Sequence, residues 1–220
     1  MTESEQLSAR DNAWCQVEYR QVVGWILQKY LEEGTHPSPS FDCRKASNSI
    51  ETLVCHEPAL MALDNLMHSV FKMSLISAAG LDTGAKKSIN LLKASQRGWI
   101  KGRDECWKAM DDKQQCVTNN YEHRIAELQA KWMLVDARET VRYTCGSEAH
   151  EFYLTFYSTD TLPASALEYG DNRVVMILSR TASGSRYDGE FGRYVWLKGN
   201  KALLLWDQYQ DPITCQTIFN

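Results

Sequence analysis

Residues 152–157 read Phe152-Tyr153-Leu154-Thr155-Phe156-Tyr157, so that Phe152, Leu154 and Phe156 alternate with Tyr153, Thr155 and Tyr157. A period of two places the first set on one face of an extended strand and the second on the other. The same period runs from Thr140 towards the C-terminus. Gly170-Asp171-Asn172 separates this strand region from Val174-Val175-Met176-Ile177-Leu178. Tyr194 to Lys198 and Lys201 to Trp206 flank Gly199-Asn200, a two-residue tight-turn signal. Many short strands with turn punctuation, in about 80 residues, predict a small antiparallel barrel or sandwich. Closing the sheet would also hide its edges.

Upstream of residue 136 the period changes. Residues 8–33 read as a first helix, with Trp14, Val17, Val22, Ile26, Tyr30 and Leu31 recurring at three- to five-residue steps. Gly34 and Thr35-His36-Pro37-Ser38-Pro39-Ser40 form a breaker and a linker. Asn48 followed by Glu51 marks a helix start. Pro58 suits the first turn of the next helix, whose stripe is Leu60, Leu63, Leu66 or Met67, Val70 and Phe71, and Gly80 to Gly84 ends it. Ile89, Leu92, Gln96, Trp99 and Ile100 mark a third helix, and Val117, Tyr121, Ile125, Leu128 and Trp132 a last one. Such stripes need a partner surface, so this region reads as a small helical bundle, with Trp99 and Trp132 in its core. The expected fold class is α+β in two domains: an N-terminal helix and linker (1–40), a disulfide-bearing helical bundle (41–135) and a small antiparallel barrel (137–220).

The chain has 220 residues, 44% hydrophobic and 24% charged, with a formal net charge of −4. That balance argues against nucleic acid, which is gripped by clustered basic surface, and is compatible with a basic protein partner. Seven cysteines stand at 15, 43, 55, 106, 116, 145 and 215, with no C-x-x-C pair. Six would make three bridges and point to an oxidising compartment such as the periplasm. A Cys145–Cys215 bridge would tie the two ends of the sheet. Cys43, Cys55, Cys106 and Cys116 allow three connectivities, and the sequence does not choose among them. No apolar stretch is long enough to cross a membrane. Met1-Thr2-Glu3-Ser4-Glu5-Gln6 lacks the basic region and apolar core of a signal peptide, and Asn12-Ala13-Trp14 before Cys15 is not a lipoprotein cleavage box. Export is therefore inferred from the cysteines.

Catalytic chemistry is not evident. His36, His56, His68, His123 and His150 are each isolated, and His56-Glu57-Pro58 is not a zinc motif, so no metal or cofactor is expected. There is no G-x-S-x-G elbow and no phosphate loop. Gly184 and Gly189 read as turn residues, and Asp111-Asp112 beside Lys113 as a solvated helix end.

Two stretches carry family resemblances. From Tyr143-Thr144-Cys145 to Thr214-Cys215-Gln216 the chain resembles the membrane-bound and periplasmic inhibitors of c-type lysozyme, the MliC/PliC type. The most specific residues are Ala182-Ser183-Gly184-Ser185-Arg186-Tyr187 and Tyr194-Val195-Trp196-Leu197-Lys198-Gly199. The resemblance implies an eight-stranded antiparallel barrel whose Ser183 and Lys198 enter the lysozyme cleft. Ser183, Gly184, Ser185, Arg186, Tyr187, Lys198 and Gly199 are then the lysozyme-binding candidates. Arg186 and Tyr187 either touch lysozyme or brace the loop, with bracing favoured for Tyr187. One extra residue stands between the two motifs, in the turn near Asp188-Gly189-Glu190.

The second stretch runs from residue 41 to about 130 and resembles the N-terminal domain of LprI-type lysozyme inhibitors, a cysteine-bearing module of secreted bacterial proteins. The matching residues include Phe41-Asp42-Cys43, Cys55, Leu63-Asp64, Gln96-Arg97, Trp99, Arg103-Asp104, Cys106, Cys116, Tyr121 and Arg124-Ile125. Asp42, Arg97 and Asp104 are a candidate surface there, against the plainer reading that they cap helices or pair with one another, which is favoured. Cys15 is the odd thiol, either free or joining two chains as a homodimer.

The leading expectation is a non-enzymatic inhibitor of c-type lysozyme, periplasmic, anchored to the outer membrane or secreted in a Gram-negative bacterium. The physics agrees: a lysozyme-type glycosidase works with two carboxyl groups, which a projecting ammonium and a hydroxyl can engage. The alternative is a non-inhibitory cell-envelope binding module for peptidoglycan, a host surface or an envelope protein. An enzyme acting on cell wall would need an acidic pair with one raised pKa, and no pair stands out.

Overall fold

The computed structural model describes residues 14–19, 22–27, 38–146 and 150–218. The chain divides into two compact units, residues 1–38 and 39–220.

In the first unit, β1 (Trp14–Tyr19) pairs antiparallel with β2 (Val22–Leu27), with Tyr19 opposite Val22 and Cys15 opposite Ile26. The helix expected over 8–33 is corrected by this hairpin; the rest of that span lies outside the described residues. Val17, Tyr19, Val22, Val23, Trp25 and Ile26 are β-branched or aromatic, types that lose rotamer freedom in a helix and suit a pleated sheet. In so short an apolar segment the three- to five-residue steps fit a strand pair equally well.

The second unit begins with helices. α1 (Ser49–His56) is capped by Asn48, whose Oδ1 accepts from the Ile50 and Glu51 amides at 2.9 and 2.8 Å. Such a cap is worth about 1 kcal/mol. α2 (Pro58–Ala79) starts with its proline in the first turn, where the missing N–H costs nothing, and ends at Gly80. α3 (Ala85–Asp104) and α4 (Lys113–Lys131) follow. The expected stripes meet. Ile50, Val54, Leu60, Met67, Val70, Leu92, Val117, Tyr121, Ile125 and Leu128 are buried together, with Trp99 and Trp132 packed against them. Each fully buried aliphatic side chain contributes about 1.5–3 kcal/mol. A polar chain crosses this core: Arg103 donates to the Tyr121 hydroxyl (2.8 Å), which donates to Asp64 (2.8 Å), which also accepts from the Ser40 amide (2.6 Å). Cys43–Cys55 fastens the chain before α1, and Cys106–Cys116 fastens the end of α3 to α4.

The C-terminal half is a closed barrel of eight antiparallel strands in sequence order: β3 (Ala137–Cys145), β4 (His150–Tyr157), β5 (Ala164–Tyr169), β6 (Asn172–Ser179), β7 (Ser185–Gly189), β8 (Tyr194–Lys198), β9 (Lys201–Leu205) and β10 (Ile213–Thr217). β10 pairs back onto β3, with Cys215 opposite Cys145, and the two are bridged. The alternation in β4 holds: Phe152 and Leu154 are fully buried inside and Tyr153 is exposed. Tyr143 stacks on Phe152 with ring centres 4.8 Å apart.

Tyr157, on the outer face, is nonetheless buried, because α4 lies against the barrel there. Ala126 and Ala130 of α4 pack on Tyr157, Ala164, Ala166 and Ile177. Small residues on both walls let helix and sheet approach closely. Gln129 both donates to Asp160 (2.5 Å) and accepts from its amide (2.9 Å), and Thr161 donates to the Glu122 carbonyl at 2.7 Å. Arg173 reaches from β6 to the Ala130 carbonyl at 3.0 Å. The Arg173 guanidinium thereby caps carbonyls at the α4 C-terminus, where a cation also suits the helix dipole. Among the described residues no helix is long and apolar enough to cross a membrane, and no group of metal-ligating side chains forms.

Candidate functional site

The β6–β7 connection and the β8–β9 turn lie at one end of an up-and-down barrel, because alternate connections share an end. Register brings them side by side: Ser185 faces Leu197, so Gly184 falls beside Lys198. Gly184 has φ +73°, the left-handed region that favours glycine. A Cβ there would collide with the Leu197 carbonyl oxygen and come within 2.9 Å of Lys198 Cγ. The Ser183 loop is thus pressed onto the end of β8, and only glycine allows it.

Trp196 joins the two elements. Its indole Nε1 donates to the Ser183 carbonyl at 2.9 Å, and the Lys198 ammonium lies 4.2 Å from its ring centre. Trp196 and Lys198 are two residues apart in β8 and so share the outer face. A cation over a half-buried indole gains on the order of 1 kcal/mol, which orients the ammonium without using its three donors. Thr181 Oγ1 lies 3.0 Å from the Gly184 carbonyl and 3.2 Å from that of Ser183, fixing the loop from its other side. Ser183 and Lys198 are both exposed. Lys198 precedes Gly199 (φ +57°), and Lys198 faces Lys201 across the two-residue turn. The arrangement presents one hydroxyl and one ammonium from two braced hairpins, a donor pair fit for carboxylates.

The other candidates divide between contact and support. Ser185 is exposed beside the loop. Arg186 stacks 4.0 Å over Tyr194 and pairs with Asp188 at 2.7 Å, holding the outer face of β7–β8. Tyr187 points into the barrel, 8% exposed, edge-on to Phe156 at 5.6 Å, and burial pushes its phenol pKa up. Trp196, Thr181 and Tyr194 received no role from the sequence. For Trp196 a signal existed, since a residue two before a projecting lysine on a strand shares its face. The hydrogen bonds of Thr181 had no such signal.

In the helical half Asp42 and Asp104 are engaged locally. Asp42 accepts from the Arg44 amide and guanidinium, which hold its carboxyl below the ordinary range. Asp104 accepts from Arg103 (2.7 Å) and from Asn48 (3.1 Å). Arg97 is exposed on α3.

Two family models match the chain in sequence order. Residues 43–128 match the lysozyme inhibitor LprI family. Residues 143–212 match the family of membrane-bound lysozyme inhibitors of c-type lysozyme, MliC. The lipoprotein LprI of Mycobacterium tuberculosis and that of Mycobacterium bovis are each 26% identical over 157 residues, 71% of this chain and 74% of theirs. That alignment is longer than either family segment alone. Among solved structures, Pseudomonas aeruginosa MliC in complex with hen egg white lysozyme aligns with 21% identity and a TM-score of 0.32, covering 38% of this chain and 84% of that one.

Proposed function

We propose that this chain is a proteinaceous inhibitor of c-type lysozyme that works by occluding the active-site cleft. The observation that carries the reading is the joint presentation of Ser183 and Lys198 on Trp196 and Gly184, within a segment matching an inhibitor family. The second family match, in the helical half, supports lysozyme inhibition as the shared theme of the two modules. In the proposed complex the Lys198 ammonium and the Ser183 hydroxyl meet the two catalytic carboxyl groups, of which one must protonate the leaving group and the other stabilise the sugar cation. Charge-assisted hydrogen bonds in a cleft closed to water are the stronger kind. Gly184 and Gly199 keep the tips narrow, while Arg186 and Tyr187 hold the strands behind them. The protein performs no chemistry in this reading. Three disulfides and relatives named as membrane-bound inhibitors and lipoproteins support a place in the cell envelope.

The test is a bacterial-lysis assay with a c-type lysozyme and micromolar protein. Inhibition is expected, and Lys198→Ala weakens it by about 30-fold or more, the effect of removing one member of a buried charged pair. A lysozyme left fully active by the wild-type chain refutes the proposal.

A further inference from the structure

The helical half and the barrel part beside α4 and β6 to leave a cleft of about 470 Å³. His123, Glu127 and Lys131 line it from one stripe of α4, four residues apart. Val175 and Ile177 line it from the outer face of β6, and Glu190 from the β7–β8 turn.

Some of the charge around this cleft is already engaged. Glu127 pairs with Arg124 at 2.9 Å, and Arg173 donates to the α4 carbonyls and to the Tyr157 hydroxyl at 3.1 Å. His123, Lys131 and Glu190 remain: among the described residues their side chains have no hydrogen-bond or ion-pair partner. One ammonium, from Lys131, and the imidazole of His123 therefore face the cleft from the helical wall and one carboxylate from the barrel wall, with an aliphatic strip between.

We infer that this cleft is a second binding site, taking a short peptide with free amino and carboxyl ends. Lys131 receives its carboxylate, Glu190 its ammonium, and small apolar side chains lie on Val175 and Ile177. The volume falls within the range of small-molecule sites, which favour domain interfaces. A simple anion fits less well, because Glu127, Asp188 and Glu190 share the lining. The β7–β8 turn lies at the barrel end opposite the Ser183 and Lys198 hairpins, so a peptide bound here leaves those loops free. The site goes beyond lysozyme inhibition and exists only because the two halves dock.

Titration of the full chain by calorimetry and amide NMR tests this, with trialanine, N-acetylated and amidated trialanine, and inorganic phosphate as probes. Trialanine with free ends is expected to bind and to shift the Val175 and Ile177 resonances. Blocking its ends, or introducing Lys131→Ala or Glu190→Gln, weakens binding at least about tenfold, the loss of one charge-assisted bond. Both variants keep wild-type melting temperature and lysozyme inhibition. The inference is overturned if trialanine does not bind at millimolar concentration, if the blocked peptide binds as well, if neither variant weakens binding, or if phosphate alone binds. An inactive wild-type chain in the lysis assay would remove the inhibitor proposal and leave this result intact.

Discussion

Gly184 bears the greatest structural demand of any residue in the site. Its φ of +73° and the collision any Cβ would make with the Leu197 carbonyl mean that the Ser183 loop sits on β8 only with glycine there. Gly184→Ala is expected to cost roughly 1–3 kcal/mol, the scale of a strained backbone position, and to displace Ser183 from Lys198. Thermal unfolding with a parallel inhibition assay checks this. A fully stable, fully inhibitory Gly184→Ala would mean that the close approach is not needed. Gly199, with φ +57° and nothing within 4 Å of its Cβ position, carries only the conformational demand. The motif around both glycines is legible in the sequence, but what it rests on is not. The indole bond from Trp196 to Ser183 spans thirteen residues and exists only once β7 and β8 are in register.

At the scale of elements, local chemistry decided most boundaries. Asn48 with Glu51, Pro58 at the head of α2, Gly80 at its end and Gly199-Asn200 between β8 and β9 each act within a few residues, so they are readable in one dimension. The β1–β2 hairpin was not, because its apolar residues, Trp14, Val17, Val22 and Ile26 among them, satisfy helical steps as well as strand pairing. Tyr157 is a second case: its outward position in β4 follows from alternation, but its burial depends on α4, remote in the chain. The bridges also differ by element. Cys145–Cys215 closes a loop with a sequence separation of 70, against 12 and 10 for the helical pair. The chain-entropy model gives about 4 kcal/mol for the long loop and about 3 kcal/mol for each short one. Replacing Cys145 and Cys215 by serine should therefore lower the melting temperature more than either helical double replacement. Equal shifts would mean that loop length does not set the contribution of these bridges.

For the whole molecule, what the sequence could not foretell is that bundle and barrel share a face. The alanines of α4 look like ordinary helix formers until β5 and β6 cover them. Three of the buried phenols, one in the bundle and two in the barrel, act in the same direction. Tyr121 in the bundle and Tyr143 and Tyr187 in the barrel have pKa values raised by burial above the ordinary 10.0. Between that value and the raised one the folded state holds more protons than the unfolded state. Their contribution is thus complete below about pH 10 and is lost as the pH climbs through the raised values. Melting temperatures measured from about pH 8 to about pH 11 should fall at the alkaline end, and less steeply in Tyr187→Phe. An unchanged slope in that variant would count against its role.

If the Ser183 and Lys198 hairpins occupy the lysozyme cleft, a ligand of that cleft competes with the inhibitor. Affinity for a c-type lysozyme would be measured with and without a saturating chito-oligosaccharide in the active site. Mutually exclusive binding is expected, with apparent affinity falling as oligosaccharide occupancy rises. A ternary complex formed at unchanged affinity would contradict it.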